Sequence, residues 1–190
     1  MRFLGGILRQ GGRLSRANSG STAIEFAMVI GPFLGLLFAI IEVALVYFAE
    51  FSLDSGVHKA ARMIRLGNAQ RSNYGANQFK QVICADIPAF MGCESNVMVD
   101  VRSFNTFAEA AANMPNPLSP AGTINPNFAQ FTMGGPAQVV VVSLFYDWHL
   151  FATLPGLGDF TGKLGMGLGN MPDGSRLISA MTAFRTETYQ

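Results

Sequence analysis

Charge is scarce in this chain, and histidine, cysteine and tryptophan are scarcer still. Of 190 residues only 13% are Asp, Glu, Lys or Arg, and there are two cysteines, two histidines and one tryptophan. His58 and His149 stand in neither an H-E-x-x-H pattern nor a zinc-type Cys/His spacing, so the sequence carries no recognisable metal-site motif. The GDFTGKLG stretch from Gly158 to Gly165 resembles a phosphate loop only superficially. Leu157 stands where that loop needs glycine, and Leu164 where Ser or Thr would meet magnesium. Asp147, Trp148 and His149 are consecutive, but neighbours in a strand point to opposite faces and no nucleophile accompanies them, so they read as an ordinary strand end. These gaps argue against an enzyme and give no case for a cofactor or a small-molecule substrate. Acid is missing altogether from the first twenty residues, which carry Arg2, Arg9, Arg13 and Arg16. The rest of the chain holds nine basic against twelve acidic side chains, a net charge of −3, which excludes a general nucleic-acid surface.

What the chain does have is one long apolar run. Phe26 to Ile41 contains no charge, and Val43 to Ala49 extends it past the single interruption of Glu42. The 24 positions from Phe26 to Ala49 would form a helix of roughly 36 Å, enough to cross a hydrocarbon core of ~30 Å with some tilt. The competing assignment is a buried helix of a soluble protein. A removable secretory signal fits less well, because the core is longer than 7 to 15 residues and no small-x-small site follows it. Pro32, flanked by Gly31 and Gly35, removes one backbone bond and predicts a kink or loosened turn near Met28. Gly31 and Gly35 also make a G-x-x-x-G pair, a pattern that allows close helix approach. The arginines ahead of the run are nearly matched by Lys59, Arg62 and Arg65 beyond it, so charge favours a cytoplasmic N-terminus only slightly. The short leader and the cysteine pair in the large domain add to that orientation.

Beyond the run, Leu53, Val57, Ala60, Ala61 and Ile64 keep helical spacing, with Asp54, Lys59, Arg62 and Arg65 on other faces and Gly67 and Asn68 as a C-cap. Arg62 and Arg65 read as a solvated face, with lipid phosphate or acidic partners as the other reading. Phe79, Val82, Ile83 and Ile87 predict a second helix ending at Pro88. Val97, Val99 and Val101 alternate with Met98, Asp100 and Arg102 as in a half-buried strand; Gln138–Trp148 predicts a more buried strand and Arg176–Tyr189 a third. The fold expected is α+β: a long N-terminal helix, half transmembrane and half amphipathic, packed on a small antiparallel β-sheet head. The corresponding segments are a basic leader 1–20, a transmembrane and stalk helix 21–67, and a periplasmic head 68–190. The irregular stretches 113–136 and 154–174 are either functional surfaces or poorly ordered. Cys84 and Cys93 fit a disulfide closing a short loop in an oxidising compartment, or two buried thiols in a cytoplasmic head.

The residues around the start of the apolar run resemble a known class. A basic leader ending in Gly20, then Ser21, with Glu25 five positions after that glycine and an apolar helix following, is similar to the signal of type IV pilins and pseudopilins. The AIEFAMVIGP segment with Pro32, Glu42 near the far end of the helix, KAARMIRLG from Lys59 to Gly67, and the R-x-E of AFRTETY with Arg185 and Glu187 narrow the resemblance to the TadE family of tight-adherence pilus assembly proteins. That resemblance implies a pilin-like fold. It also implies cleavage after Gly20 by a prepilin peptidase, location in the bacterial inner membrane with a periplasmic head, and other pilin and pseudopilin subunits as partners. Cleavage would give Ser21 a free amine, and resemblance to pilins implies that Glu25 pairs with such an amine on a neighbouring subunit. An intramolecular contact, or a hydrated Glu25 near the positive end of the helix dipole, are the alternatives. Glu42 would face a partner helix or snorkel toward water, and Glu50, at the exit, needs no special role. Two functions are expected: a minor pilin or pseudopilin, or an uncleaved, membrane-anchored periplasmic adaptor.

Overall fold

The computed structural model describes residues 19–125, 127–149 and 169–188. The chain divides into two compact units, Met1–Ile41 and Glu42–Gln190. One element, helix α1 (Ser19–Arg65), contributes to both. Its α-helical assignment runs through Pro32 without a break, so the loosened turn expected near Met28 does not interrupt it. In the first unit the helix exposes Ile24, Phe26, Met28, Val29, Phe33, Leu36 and Phe38. Of the described helices, this one is long and apolar enough to cross a membrane.

The second unit is built on the other half of α1. After it come α2 (Asn68–Arg71), α3 (Ala76–Cys84), a 3-10 turn (Ala89–Met91), α4 (Cys93–Asn96), β1 (Val97–Phe104), α5 (Phe107–Ala112), β2 (Val139–Trp148) and β3 (Arg176–Arg185). The three strands form one antiparallel sheet in the order β1-β2-β3. Val99 lies opposite Leu144, and Val142 opposite Thr182. Side chains at even positions of β2 (Val140, Val142, Leu144, Tyr146 and Trp148) share one core with Leu53, Val57, Ala60 and Ile64 of α1 and with Phe79 and Ile83 of α3. This is the helix-on-sheet packing expected of the spacings 53, 57, 60 and 64. Gly56 permits the close approach: a Cβ there would lie 3.2 Å from Ile83 Cγ2 and 3.4 Å from Leu144 Cδ1.

Helix α3 stops at Cys84 rather than continuing to Pro88. Its last turn tightens to i−3 bonds, from Asp86 N to Ile83 O and from Ile87 N to Cys84 O, and the residue before a proline is held away from the helical region. At the N-terminus of α3, Gln78 Oε1 accepts the Gly75 N–H at 3.1 Å, satisfying a donor that the helix leaves open.

Strand β1 corrects the expected alternation. Asp100, placed on the polar face by its spacing, is fully buried. Its carboxylate accepts from Arg102 Nε at 2.9 and 3.1 Å and from the Gln130 N–H at 2.8 Å, so the burial of the charge is compensated. The cause is the Pro- and Asn-rich stretch, which folds back over this part of the sheet. Val101 donates to Gln130 O and accepts from Thr132 N, both at 2.8 Å, and Phe131 bridges Val101 in parallel. Phe128 lies edge-on to Phe145 at 5.2 Å with the Arg102 guanidinium over its ring at 5.6 Å. Residues 128–132 therefore line the β1 edge and part of the second face of the sheet, Ala110 of α5 packs on Val139 and Val141 of the same face, and β2 is buried at every position but Asp147. Strand β3 ends at Arg185, four residues before the expected Tyr189.

Candidate functional site

The residues singled out by the sequence fall on three places in the fold. The first is the start of α1. The backbone at Gly20 and Ser21 is helical, and Glu25 is an exposed side chain of the next turn, followed by the exposed apolar residues of the first unit. A carboxylate near a helix N-terminus interacts favourably with the unpaired N–H groups there. Pro32 lies inside the same continuous helix.

The second place is the portion of α1 between Glu42 and Leu53. Glu42 is 6% exposed within its own unit. Its Oε1 meets no donor among the described residues. A buried carboxylate oxygen without a partner is costly, and this marks Glu42 as the polar anomaly of the helix. Glu50, for which the sequence suggests no role, reaches Arg176 Nη2 at 3.3 Å and so links α1 to the first residue of β3. Both side chains are about one third exposed, which limits the stabilisation the pair supplies. Ser52 turns its hydroxyl back to the Phe48 carbonyl at 2.8 Å, satisfying a polar group on a buried face.

The third place is the periphery of the head. Cys84 and Cys93 are joined by a disulfide with a Cα–Cα separation of 5.5 Å, closing the segment from the end of α3 to the start of α4. Lys59 of α1 pairs with Asp86 inside that loop. Arg185 and Glu187 are both exposed, and Thr186 between them is 3% exposed. The Thr186 hydroxyl donates to Gly135 O at 2.7 Å and accepts from Gln138 N at 3.0 Å, while the Glu187 N–H donates to the Arg65 carbonyl at 3.0 Å. Thr186 thus fastens the end of β3 to the 135–138 turn, and the Glu187 backbone fastens it to the last turn of α1. Sequence reading missed Thr186; a small hydroxyl between two charges in a strand was the available signal.

The structure also gathers residues that the sequence left apart. Asp147 near the end of β2 and His149 just beyond it come together with Asp173, from the approach to β3. One ligand-type atom from each lies within 4.8 Å of the others. The Asp173 carboxyl is held below the usual carboxylate range first by the Ser175 N–H and then by the Ser175 hydroxyl, at 3.0 and 2.8 Å. Asp147 Oδ1 is shielded and meets no donor among the described residues. Beside this cluster, Phe90, Met98, Tyr146 and Trp148 line a half-open cleft of about 470 Å³. Burial, with Asp147 adding to it, raises the pKa of the Tyr146 hydroxyl. Arg62 and Arg65 are exposed, as a solvated face requires. The GDFTGKLG stretch lies outside the described residues.

Residues 20–62 match the family described as TadE-like protein. The match covers Gly20, Ser21, Glu25, Pro32 and Glu42 and ends before the head. No curated protein and no solved structure matches the chain.

Proposed function

We propose that this chain is a minor pilin or pseudopilin of a tight-adherence pilus, a non-catalytic subunit anchored in the bacterial inner membrane with its N-terminus cytoplasmic and its head periplasmic. The observation that carries the reading is the coincidence of the TadE-like match with a helix whose apolar side chains are exposed along the first unit. Such a surface is stable in lipid or against other apolar helices and unstable in water. Segments 1–20, 21–67 and 68–190 then serve as leader, anchor with stalk, and head.

In this reading a prepilin peptidase cuts between Gly20 and Ser21. The new Ser21 ammonium offers a neighbouring subunit's Glu25 a cation at membrane depth, where an unpaired carboxylate is expensive. Pairing between copies would set the helices side by side in register, which is assembly rather than catalysis. Glu42, buried and lacking a donor among the described residues, is a second position at which a partner helix could satisfy a charge. The disulfide supports an oxidising compartment for the head. No cofactor enters this function, and its partners are the membrane, the peptidase and other pilin and pseudopilin subunits.

N-terminal sequencing of the protein recovered from membranes tests the reading. Ser21 as the first residue, lost in Gly20→Ala, is the expected result; for Glu25→Ala, processing should persist while assembly fails. Met1 retained on protein that supports piliation would replace this function with that of an uncleaved membrane-anchored adaptor.

A further inference from the structure

We propose that the turn carrying Phe90 is a second membrane contact, through which the head rests on the hydrocarbon boundary of the bilayer beside α1; the inference rests on the membrane-spanning reading of that helix. Within residues 42–65 the exposed stripe of α1 changes character once. Val43, Ala44, Tyr47, Phe48 and Phe51 are exposed, and after them Asp54, Ser55, His58, Arg62 and Arg65. At about 100° per residue, positions 44, 47, 48, 51, 55, 58 and 62 lie on one side of the helix, opposite the buried Leu53, Val57, Ala60 and Ile64. One stripe that is apolar up to Phe51 and polar from Ser55 onward records a boundary between two solvents. Aromatic side chains collect at such a boundary in membrane proteins.

Phe90 belongs to the apolar side of that boundary. Its ring stacks on Phe48 with centroids 6.1 Å apart and an interplanar angle of 22°. Phe48 precedes Asp54 by about 9 Å of helix at 1.5 Å per residue. Phe90 is 61% exposed, and on α1 Tyr47 is 66% and Phe51 72% exposed, so these aromatics all face outward. Phe90 is not a core residue that failed to fit, because its neighbours Ile87 and Met91 fill the core at 5% and 0% exposure. The turn is also held in place: the Cys84–Cys93 disulfide closes it, and the Lys59–Asp86 pair ties it to α1. A fixed turn that aims a phenyl ring outward below the polarity switch has the form of an interfacial anchor. The acids flanking it, Asp86 and Glu94, suit zwitterionic lipid and give no reason for attraction to anionic headgroups.

The test uses the full-length protein in phosphatidylcholine vesicles whose acyl chains are brominated near the glycerol end. Trp148, the only tryptophan, is replaced in Trp148→Phe, and reporters are introduced there as Phe90→Trp and Phe38→Trp. The lipid brominated near the glycerol end should quench Phe90→Trp, and lipid brominated near the chain ends should quench Phe38→Trp, about 15 Å further along α1 from Phe48 at 1.5 Å per residue. Should Trp148→Phe fold poorly, the additional emission of Phe90→Trp over the wild-type protein gives the same readout. Quenching of Phe38→Trp with none at Phe90→Trp overturns the Phe90 contact and leaves the anchor intact; absence of quenching at both overturns the membrane-spanning reading as well. Phe90→Trp that resists bromolipid but gains protection from aqueous acrylamide as protein density rises would assign this surface to a second copy, again against the proposal. Substituting anionic for zwitterionic lipid should leave the Phe90→Trp quenching unchanged.

Discussion

Helix α1 does two opposite things along one helical segment. In residues 22–41 all its large apolar side chains but Ile30 are exposed; in residues 42–65 Val46, Ala49, Leu53, Val57, Ala60 and Ile64 are buried at 4% or less. Composition alone does not separate the halves, since both are rich in apolar residues. What separates them is where charge is allowed. The first half tolerates none after Glu25, so any face can meet hydrocarbon, whereas the second confines its charges mostly to the side away from the sheet, the arrangement of a soluble amphipathic helix. The comparison teaches that an uncharged circumference marks an anchor, and a one-sided apolar stripe marks a docking face.

Substitutions aimed at one half should leave the other untouched, which makes the comparison breakable. The largest effect is expected from Leu53→Ala, which removes a fully buried side chain between α1 and the sheet. It should lower head stability by about 2–5 kcal/mol in denaturant titration, with membrane retention unchanged. Leu36→Arg is the converse: it should cost insertion about 2.5–3.5 kcal/mol, seen as protein released by carbonate extraction, while the head's unfolding midpoint stays where it was. If either variant moves both readouts, the two halves are not separable. Joint replacement of Cys84 and Cys93 by serine should cost the head about 2.5 kcal/mol from loop-closure entropy, again without effect on retention.

The smallest expected effect sharpens the comparison through pH. The Asp173 carboxyl has its folded-state pKa lowered by Ser175, so its contribution to stability is complete above the unfolded value of 3.8 and is lost as pH falls through the lower folded value. Thermal unfolding followed into acid should therefore show a shallower loss in Asp173→Asn than in the wild type, with no such difference in membrane retention.

Much of this fold was legible in the sequence because its signals are local. The helical spacing of 53, 57, 60 and 64, the valines of β2 and the nine-residue separation of the cysteines each constrain a short segment on its own. The misreadings share a different physics. Asp100 looked like a solvent-facing position because strand alternation assumes an uncovered second face, and the cover comes from residues 128–132, a distant stretch with no periodicity of its own. Glu50 and Thr186 acquired roles only through Arg176 and the 135–138 turn, contacts that no spacing rule encodes. Asp147 and His149 read as an ordinary strand end because their companion Asp173 lies far along the chain, on the approach to β3. Gly20, Glu25 and Pro32 were singled out by the resemblance of the segment that carries them, and all three lie on α1.

The bond from the Glu187 N–H to the Arg65 carbonyl brings the tail of the chain to the end of α1. Whatever is fused after the last described residue, Thr188, would emerge about 20 Å along the helix from Phe51, by the 1.5 Å rise per residue. An epitope or purification handle attached there would stand well clear of the Phe48–Phe90 pair and, in the periplasmic reading proposed above, on the side reached by antibodies and proteases added to the outside of a spheroplast.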